Sequence, residues 1–248
     1  MTSKSLSQEK SDDFSGSEIP NKQGIPDQEE VWDKIARNWK ENRTLPIKEA
    51  EEFLRNKKGK VLDLGCGSGR NITKDSNKEF YGVDFSNEMI EAATEDIKAN
   101  KAKAKLFKAN AWELPFKDNY FDSAIFIATL HCIPSEENRE KSLQELKRVL
   151  KPGSRALVTV WDKNQERFNN PNTKSSAPPK FIGEKEAYLP WGAGDFPDRQ
   201  EFLRYYYLYD KEEIAKLLEK YFKVIEVKGK IMDQSRFSKR NLIIEVEK

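Results

Sequence analysis

The chain has 248 residues, enough for one substantial α/β domain or at most two small ones. Charged residues make up 35% but nearly cancel, to a net charge of +2, which argues against a strongly basic nucleic-acid coat and leaves room for a local basic patch. No run approaches the roughly 18 apolar residues of a membrane helix, and the first residues have no apolar centre for a secretion signal.

Residues 1–27 are rich in Ser, Lys, Asp and Glu, and such a stretch buries too little apolar surface to offset its ordering entropy. A disordered tail is therefore expected there, and a folded domain over 28–248. Val31, Trp32, Ile35, Ala36 and Trp39 recur at helical spacing behind Asp27, a capping residue. A second helix follows Pro46, with Ile47, Ala50, Phe53 and Leu54 on one face. From Lys60 onward short strands and helices alternate. Val61–Leu64 reads as a strand leading into a glycine turn and a helix start, and Phe80–Val83 as a strand ending at Asp84. Ser86 opens an amphipathic helix through Met89, Ile90, Ala93 and Ile97, and Ala104–Ala109 and Phe121–Ile127 are the next strands. Leu143, Leu146, Val149 and Leu150 mark a helix ending before Lys151-Pro152-Gly153, and Ala156–Trp161 is the fifth strand. The alternation implies a mostly parallel, doubly wound sheet. Residues 162–200 break the rhythm with five prolines, the mark of a substrate-side insertion that is either a lid or partly disordered. Asp210 then caps a helix bearing Ile214, Leu217, Leu218 and Tyr221, with Glu213 placed for a capping box. Val224–Val227 and Leu242–Val246 close the sheet as an antiparallel pair. Cys66 and Cys132 form no metal-ligand spacing, so two free thiols in a reduced, cytoplasmic compartment are expected, and no metal site is readable.

Three strand ends carry the chemistry. Gly65, Gly67 and Gly69 follow the first strand, where glycine permits positive φ and close approach of a ligand to backbone. Asp84 ends the second strand about 20 residues on, where an acid accepts from ribose hydroxyls. Asn110, Ala111 and Trp112 follow the third and are placed to meet an adenine edge and face. A dinucleotide site uses related geometry, but its glycines run Gly-x-Gly-x-x-Gly. Asp63, just before the turn, would repel a pyrophosphate and suits an amino-bearing ligand. Glycines serving only a tight turn are the bland alternative.

The segments Val61-Leu-Asp-Leu-Gly-Cys-Gly-Ser-Gly69, Gly82-Val-Asp-Phe-Ser86, Ala109-Asn-Ala-Trp-Glu-Leu-Pro-Phe116, Phe121-Asp122 and Arg148-Val-Leu-Lys-Pro-Gly153 resemble the successive motifs of class I S-adenosylmethionine-dependent methyltransferases. The resemblance covers about 60–161. It implies that family's Rossmann-like, doubly wound α/β fold, a seven-stranded mostly parallel sheet with the last strand antiparallel, and S-adenosyl-L-methionine as cofactor. By the same likeness Asp63, Gly65 and Gly67 would contact the methionine part and Asp84 the ribose, with Cys66, Gly69 and Phe85 also among the cofactor-binding residues. Asn110 stands where the family commonly has Asp; an amide oxygen can still accept from the adenine amino group.

A narrower resemblance spans about 31–248. Trp32-Asp-Lys-Ile-Ala36 with Asn42-Arg43, Leu130-His131, Arg155-Ala-Leu-Val-Thr-Val-Trp161, Leu189-Pro-Trp191, Arg204-Tyr-Tyr-Tyr-Leu208 and Asn241-Leu-Ile-Ile-Glu-Val-Glu-Lys248 are similar to segments of the wobble-uridine tRNA methyltransferases that esterify a 5-carboxymethyl group, the methyltransferase half of AlkB-type tRNA hydroxylases among them. It implies a tRNA anticodon loop as partner and a small zinc-binding activator subunit. A carboxylate acceptor is already ionised near neutral pH and needs no strong base, so positioning carries most of the catalysis. Arg43 could clamp that carboxylate or a phosphate, and His131, the one histidine, could orient the acceptor or take a proton; a surface arginine and a packed histidine are the bland readings. Trp161, Trp191 and Tyr205–Tyr207 could stack a splayed base, or be core. Arg199, Arg204, Lys228, Lys230, Arg236, Lys239 and Arg240 could meet phosphates, or form a solvated face. A small-molecule methyltransferase acting on a quinone, amine or carboxylate, and an inactive cofactor-binding regulatory subunit, remain as alternatives.

Overall fold

The computed structural model describes residues 26–165, 168, 178–192, 201–229 and 241–248. Residues 1–25 of the expected tail, most of the 162–179 stretch, 193–200 with Arg199, and Lys230, Arg236, Lys239 and Arg240 lie outside the described residues.

Two helices precede the sheet, α1 (Gln28–Glu41) and α2 (Lys48–Leu54). The sheet strands are β1 (Gly59–Leu64), β2 (Lys78–Asp84), β3 (Ala104–Lys108), β4 (Phe121–Ile127), β5 (Leu150–Trp161), β9 (Lys223–Lys228) and β10 (Asn241–Glu247). They lie in the order β3-β2-β1-β4-β5-β10-β9, and β10 runs antiparallel to both its neighbours. Helix α3 (Asn87–Asn100) joins β2 to β3, and α4 (Glu136–Val149) joins β4 to β5. Their starts are written in the sequence: Ser86 accepts from Met89 N and Ser135 from Asn138 N, so each hydroxyl satisfies an orphan amide.

The central strands are apolar on both faces because both are covered. On one face Leu62, Leu64, Ala124 and Phe126 pack with Leu143 and Leu146 of α4 and with Ile214 and Leu218 of α5 (Lys211–Glu219). On the other, Val61, Phe80, Ile125 and Leu157 pack with Ile47, Ala50 and Leu54 and with Ile90 and Ile97 of α3.

Two expectations change. No helix follows the glycine turn: residues 65–77 cross to β2 in turns alone. The reason is compositional, since between Arg70 and Lys78 only Ile72 is apolar and no helical stripe exists to bury; α2 lies on that face instead. Second, β5 starts at Leu150, which pairs with Phe121, and resumes from Arg155 after a register shift, with Gly153 at φ 74° in between.

The described part of the 162–200 insertion supplies β6 (Lys180–Phe181) and β7 (Glu186–Gly192), which form a second sheet with β8 (Glu201–Tyr207) just beyond it, antiparallel throughout. Helix α1 lies between β8 and α3. Gln28 accepts from Tyr205 N at 2.8 Å, Trp191 Nε1 donates to Asn38 Oδ1 at 2.8 Å, and Lys40 pairs with Glu95 and Asp96 at 2.8 and 2.9 Å. Asp33 accepts from Ser86 Oγ at 2.5 Å and from Glu88 N at 3.2 Å, which ties α1 to the start of α3.

Candidate functional site

A cavity of about 890 Å³ opens at the carboxyl ends of β1, β2 and β4, between the main sheet, α1 and the second sheet. Open α/β sheets bind ligands at this edge, and the volume lies toward the upper end of small-molecule sites.

One wall is the glycine turn. Gly65 has φ +71°, and a Cβ there would stand 2.2 Å from Thr129 Oγ1, so only glycine fits the approach of the two loops. Gly65 N and Cys66 N both donate to Val83 O, at 2.8 and 2.9 Å, which pins the turn to β2. Asp84 accepts from Gly67 N at 2.8 Å on one carboxylate oxygen and from Ser86 N at 3.1 Å on the other. Each oxygen keeps a lone pair for a ligand hydroxyl. Burial lifts the Asp84 carboxyl to about 6, against the pull of those backbone amides.

Gly65, Cys66, Gly67, Asp84, Phe85, Asn110, Ala111 and Trp112 all line the cavity. Asp63 and Gly69 do not. Gly69 backs onto α3, where its Cβ would meet that of Ala93 at 3.1 Å. Asp63 is 1% exposed, neither carboxylate oxygen has a hydrogen-bond partner among the described residues, and burial pushes its carboxyl up to about 7 despite the Arg70 charge. A buried, unpartnered carboxyl directly behind the turn is the group an amino-bearing ligand would satisfy.

The opposite wall is aromatic. Trp161 and Tyr206 stack at 4.4 Å and 10°, and His131 lies 5.5 Å from each ring. His131 lines the cavity, is fully buried, and neither ring nitrogen has a hydrogen-bond partner among the described residues. Burial drives its pKa down to about 3, so it is neutral at physiological pH and presents a neutral hydrogen-bonding edge. Burial also raises both thiols, Cys132 to about 12, which leaves neither as a thiolate nucleophile.

Arg43 lines the cavity with its guanidinium 4.8 Å from the Trp39 ring and 5.5 Å from that of Trp191. Arg204, expected among surface phosphate contacts, is instead 5% exposed. It lies 4.7–5.8 Å from the rings of Trp32, Trp39, Trp191 and Tyr206, behind the wall. Strand alternation on β8 separates the tyrosines. Tyr206 faces the cavity, whereas Tyr205 and Tyr207 turn their hydroxyls to Glu186 and Glu213. The base-stacking expectation at Tyr205 therefore moves to Tyr206, and Trp191 supports the wall from behind. Sequence reasoning also passed over Arg70, Trp39, Thr129 and Asn241, all lining residues. Arg70 had a signal, a charge directly after the glycines; Asn241 had none, because it reaches the cavity through the antiparallel pairing Asn241↔Trp161. Among the described residues no group of three or more His, Cys, Asp or Glu could hold a metal ion, and no helix is long and apolar enough to cross a membrane.

Residues 62–158 match a family model described as a methyltransferase domain. A tRNA (carboxymethyluridine(34)-5-O)-methyltransferase of Arabidopsis thaliana is 35% identical over 138 residues, 55% of this chain and 33% of that protein. One from Schizosaccharomyces pombe is 26% identical over 208 residues, 77% of this chain and 85% of that protein. The chain spans only 33%, 22% and 21% of the first three curated relatives it matches. Among solved structures, a SAM-dependent methyltransferase of Methanosarcina mazei superposes with a TM-score of 0.62 at 23% identity, covering 82% of this chain and 99% of that one.

Proposed function

We propose that the chain is a class I S-adenosylmethionine-dependent methyltransferase that esterifies the carboxylate of a 5-carboxymethyl-type uridine at the tRNA wobble position. One observation carries the reading: the wall facing the glycine turn offers a cation, Arg43, a neutral and weakly basic imidazole, His131, and the Trp161–Tyr206 ring pair, and among the described residues of that wall there is no carboxylate to act as a general base. An amine or phenol acceptor must lose a proton near the moment of transfer. A carboxylate is already ionised and asks only to be held and kept dry. The curated relatives named for that tRNA reaction support the same choice.

The proposed roles follow from placement. Asp84 would accept from the ribose hydroxyls and Asn110 from the adenine amino group, with Trp112 beside the ring. Asp63 would face the ammonium of the amino-acid end, and the glycine backbone would pass alongside it. S-adenosylmethionine supplies the electrophilic methyl group. Arg43 would hold the acceptor carboxylate through a fork of N–H donors, His131 would orient it by a hydrogen bond, and the aromatic wall would receive the uracil ring.

A small carboxylate metabolite is the second reading, favoured by one observation. Lysines of α1 and β3 stand against carboxylates, Lys40 with Glu95 and Asp96 and Lys108 with Glu29, so the positive charge there is locally offset. Nucleoside mass spectrometry of tRNA from cells lacking the gene separates the two. Accumulated 5-carboxymethyluridine-type nucleosides support the tRNA reading, and an unchanged wobble position removes it.

A further inference from the structure

In open α/β sheets the turn after the first strand ordinarily leads into a helix, whose N-terminal amides and dipole meet anionic ligand groups. This chain has no such helix, because residues 65–77 run to β2 in turns. S-adenosylmethionine nevertheless carries an α-carboxylate on the amino-acid end expected beside this turn.

What the turn carries is Arg70. It lines the cavity, and among the described residues no hydrogen bond or ion pair holds its guanidinium. The backbone around it is fixed: Gly69 N donates to Cys66 O at 3.0 Å, Ile72 N to Gly69 O at 2.9 Å, and Ile47 N to Asn71 Oδ1 at 3.1 Å. A second cation, Arg43, stands close enough on the same cavity that its charge acts on Arg70, while the buried Asp63 opposes it. Burial and Arg43 together lower Arg70 to about 10, which still leaves it cationic at neutral pH.

We propose that Arg70 is the carboxylate-binding residue of the cofactor site, holding the α-carboxylate of S-adenosylmethionine where a helix N-terminus would otherwise lie. Charge and position select it over Arg43. Arg70 adjoins the glycines and lines the cavity, and the Asp63 carboxyl is buried directly behind the same turn, so the cation stands on the ligand side of it. Arg43 projects from beyond the end of α1 over Trp39 and Trp191, with Nη1 already donating to Asn42 O at 3.0 Å. This inference rests on the cofactor assignment and not on the identity of the acceptor.

Calorimetric binding of two ligands tests it: S-adenosylhomocysteine and its decarboxylated analogue 5′-deoxy-5′-(3-aminopropylthio)adenosine, which keeps the ammonium and lacks only the carboxylate. Wild-type protein should prefer S-adenosylhomocysteine by about 10- to 100-fold, the range of a charge-assisted pair. Arg70→Met should bring the two affinities to within about twofold by weakening only the carboxylate-bearing ligand. Arg70→Lys, which keeps the charge but not the fork, should fall between. Arg43→Met should leave the preference intact. A preference unchanged in Arg70→Met, or one abolished by Arg43→Met instead, overturns the proposal. If Arg70→Met does not fold, Arg70→Lys decides: a reduced preference supports the assignment and an undiminished one overturns it. Wild-type protein that binds both ligands equally overturns this inference alone; wild-type protein that binds neither overturns the cofactor assignment with it.

Discussion

Arg204 Nη1 donates to the Tyr206 hydroxyl at 2.7 Å, so a buried guanidinium holds a ring that lines the cavity. Its Nε has no hydrogen-bond partner among the described residues, and three tryptophans surround it instead. Burying an arginine this way is costly, and ring contacts return about 1–2 kcal/mol each at best. Arg204→Met fills similar space and should change stability by less than about 1.5 kcal/mol, while freeing Tyr206 and raising the acceptor KM more than it lowers kcat. Arg204→Ala should cost about 2–4 kcal/mol. Thermal melts and steady-state kinetics on the two variants check this; equal effects would place Arg204 in packing alone.

The His131 pKa of about 3 predicts both a stability effect and a silence in the rate profile. An unfolded histidine titrates near 6.5, above the folded value. The neutral form therefore stabilises the fold fully above about 6.5, and this contribution is lost as pH falls from there toward 3. His131→Asn should thus lose less stability than wild type between pH 7 and 4. The rate should show no inflection from His131 between pH 6 and 8, and His131→Asn should lower kcat/KM about 10- to 100-fold through a lost hydrogen bond. A pH inflection near 6.5 that vanishes in His131→Asn would contradict an orienting role.

Asp63 works in the opposite direction. Its folded value of about 7 lies above the ~3.9 of an unfolded aspartate, so the fold favours the protonated form. The penalty begins as pH rises past about 4 and is complete above about 7, amounting to a few kcal/mol. Asp63→Asn without ligand should be more stable than wild type at pH 8, with the gap closing toward pH 4, yet bind S-adenosylhomocysteine more weakly. Denaturant melts at the two pH values, paired with calorimetry, read both effects.

Much of this site was legible in the sequence where local chemistry decides it. Gly65, Gly67 and Asp84 reach the cavity because strand ends and turns follow from neighbouring residues. The missing helix after Arg70 was legible too, in the lack of apolar residues over 73–79, but the glycine pattern outweighed it. The second sheet and the place of Arg204 were not, since both depend on which face of β8 meets α1. An alternation of one residue decides whether Tyr205 or Tyr206 looks into the cavity.

Gly65 offers a test of the loop geometry against an internal control. A methyl group there would stand 2.2 Å from Thr129 Oγ1 at a φ of +71°, whereas at Gly153 nothing lies within 4 Å at a similar φ of +74°. Gly153→Ala should cost about 1 kcal/mol, the strain alone. Gly65→Ala should cost at least about 2 kcal/mol more and abolish S-adenosylhomocysteine binding, because Thr129 and the turn must move apart. Equal melting temperatures for the two variants would contradict the close approach.

The most direct measurement supplies methyl-labelled S-adenosylmethionine to the purified protein with tRNA bearing 5-carboxymethyluridine at the wobble position, and with a metabolite extract in parallel. Label entering the tRNA, confined to that nucleoside and released by mild alkali as an ester should be, is the predicted result. Label appearing only in the metabolite fraction, or in tRNA as an alkali-stable methyl group, would contradict it.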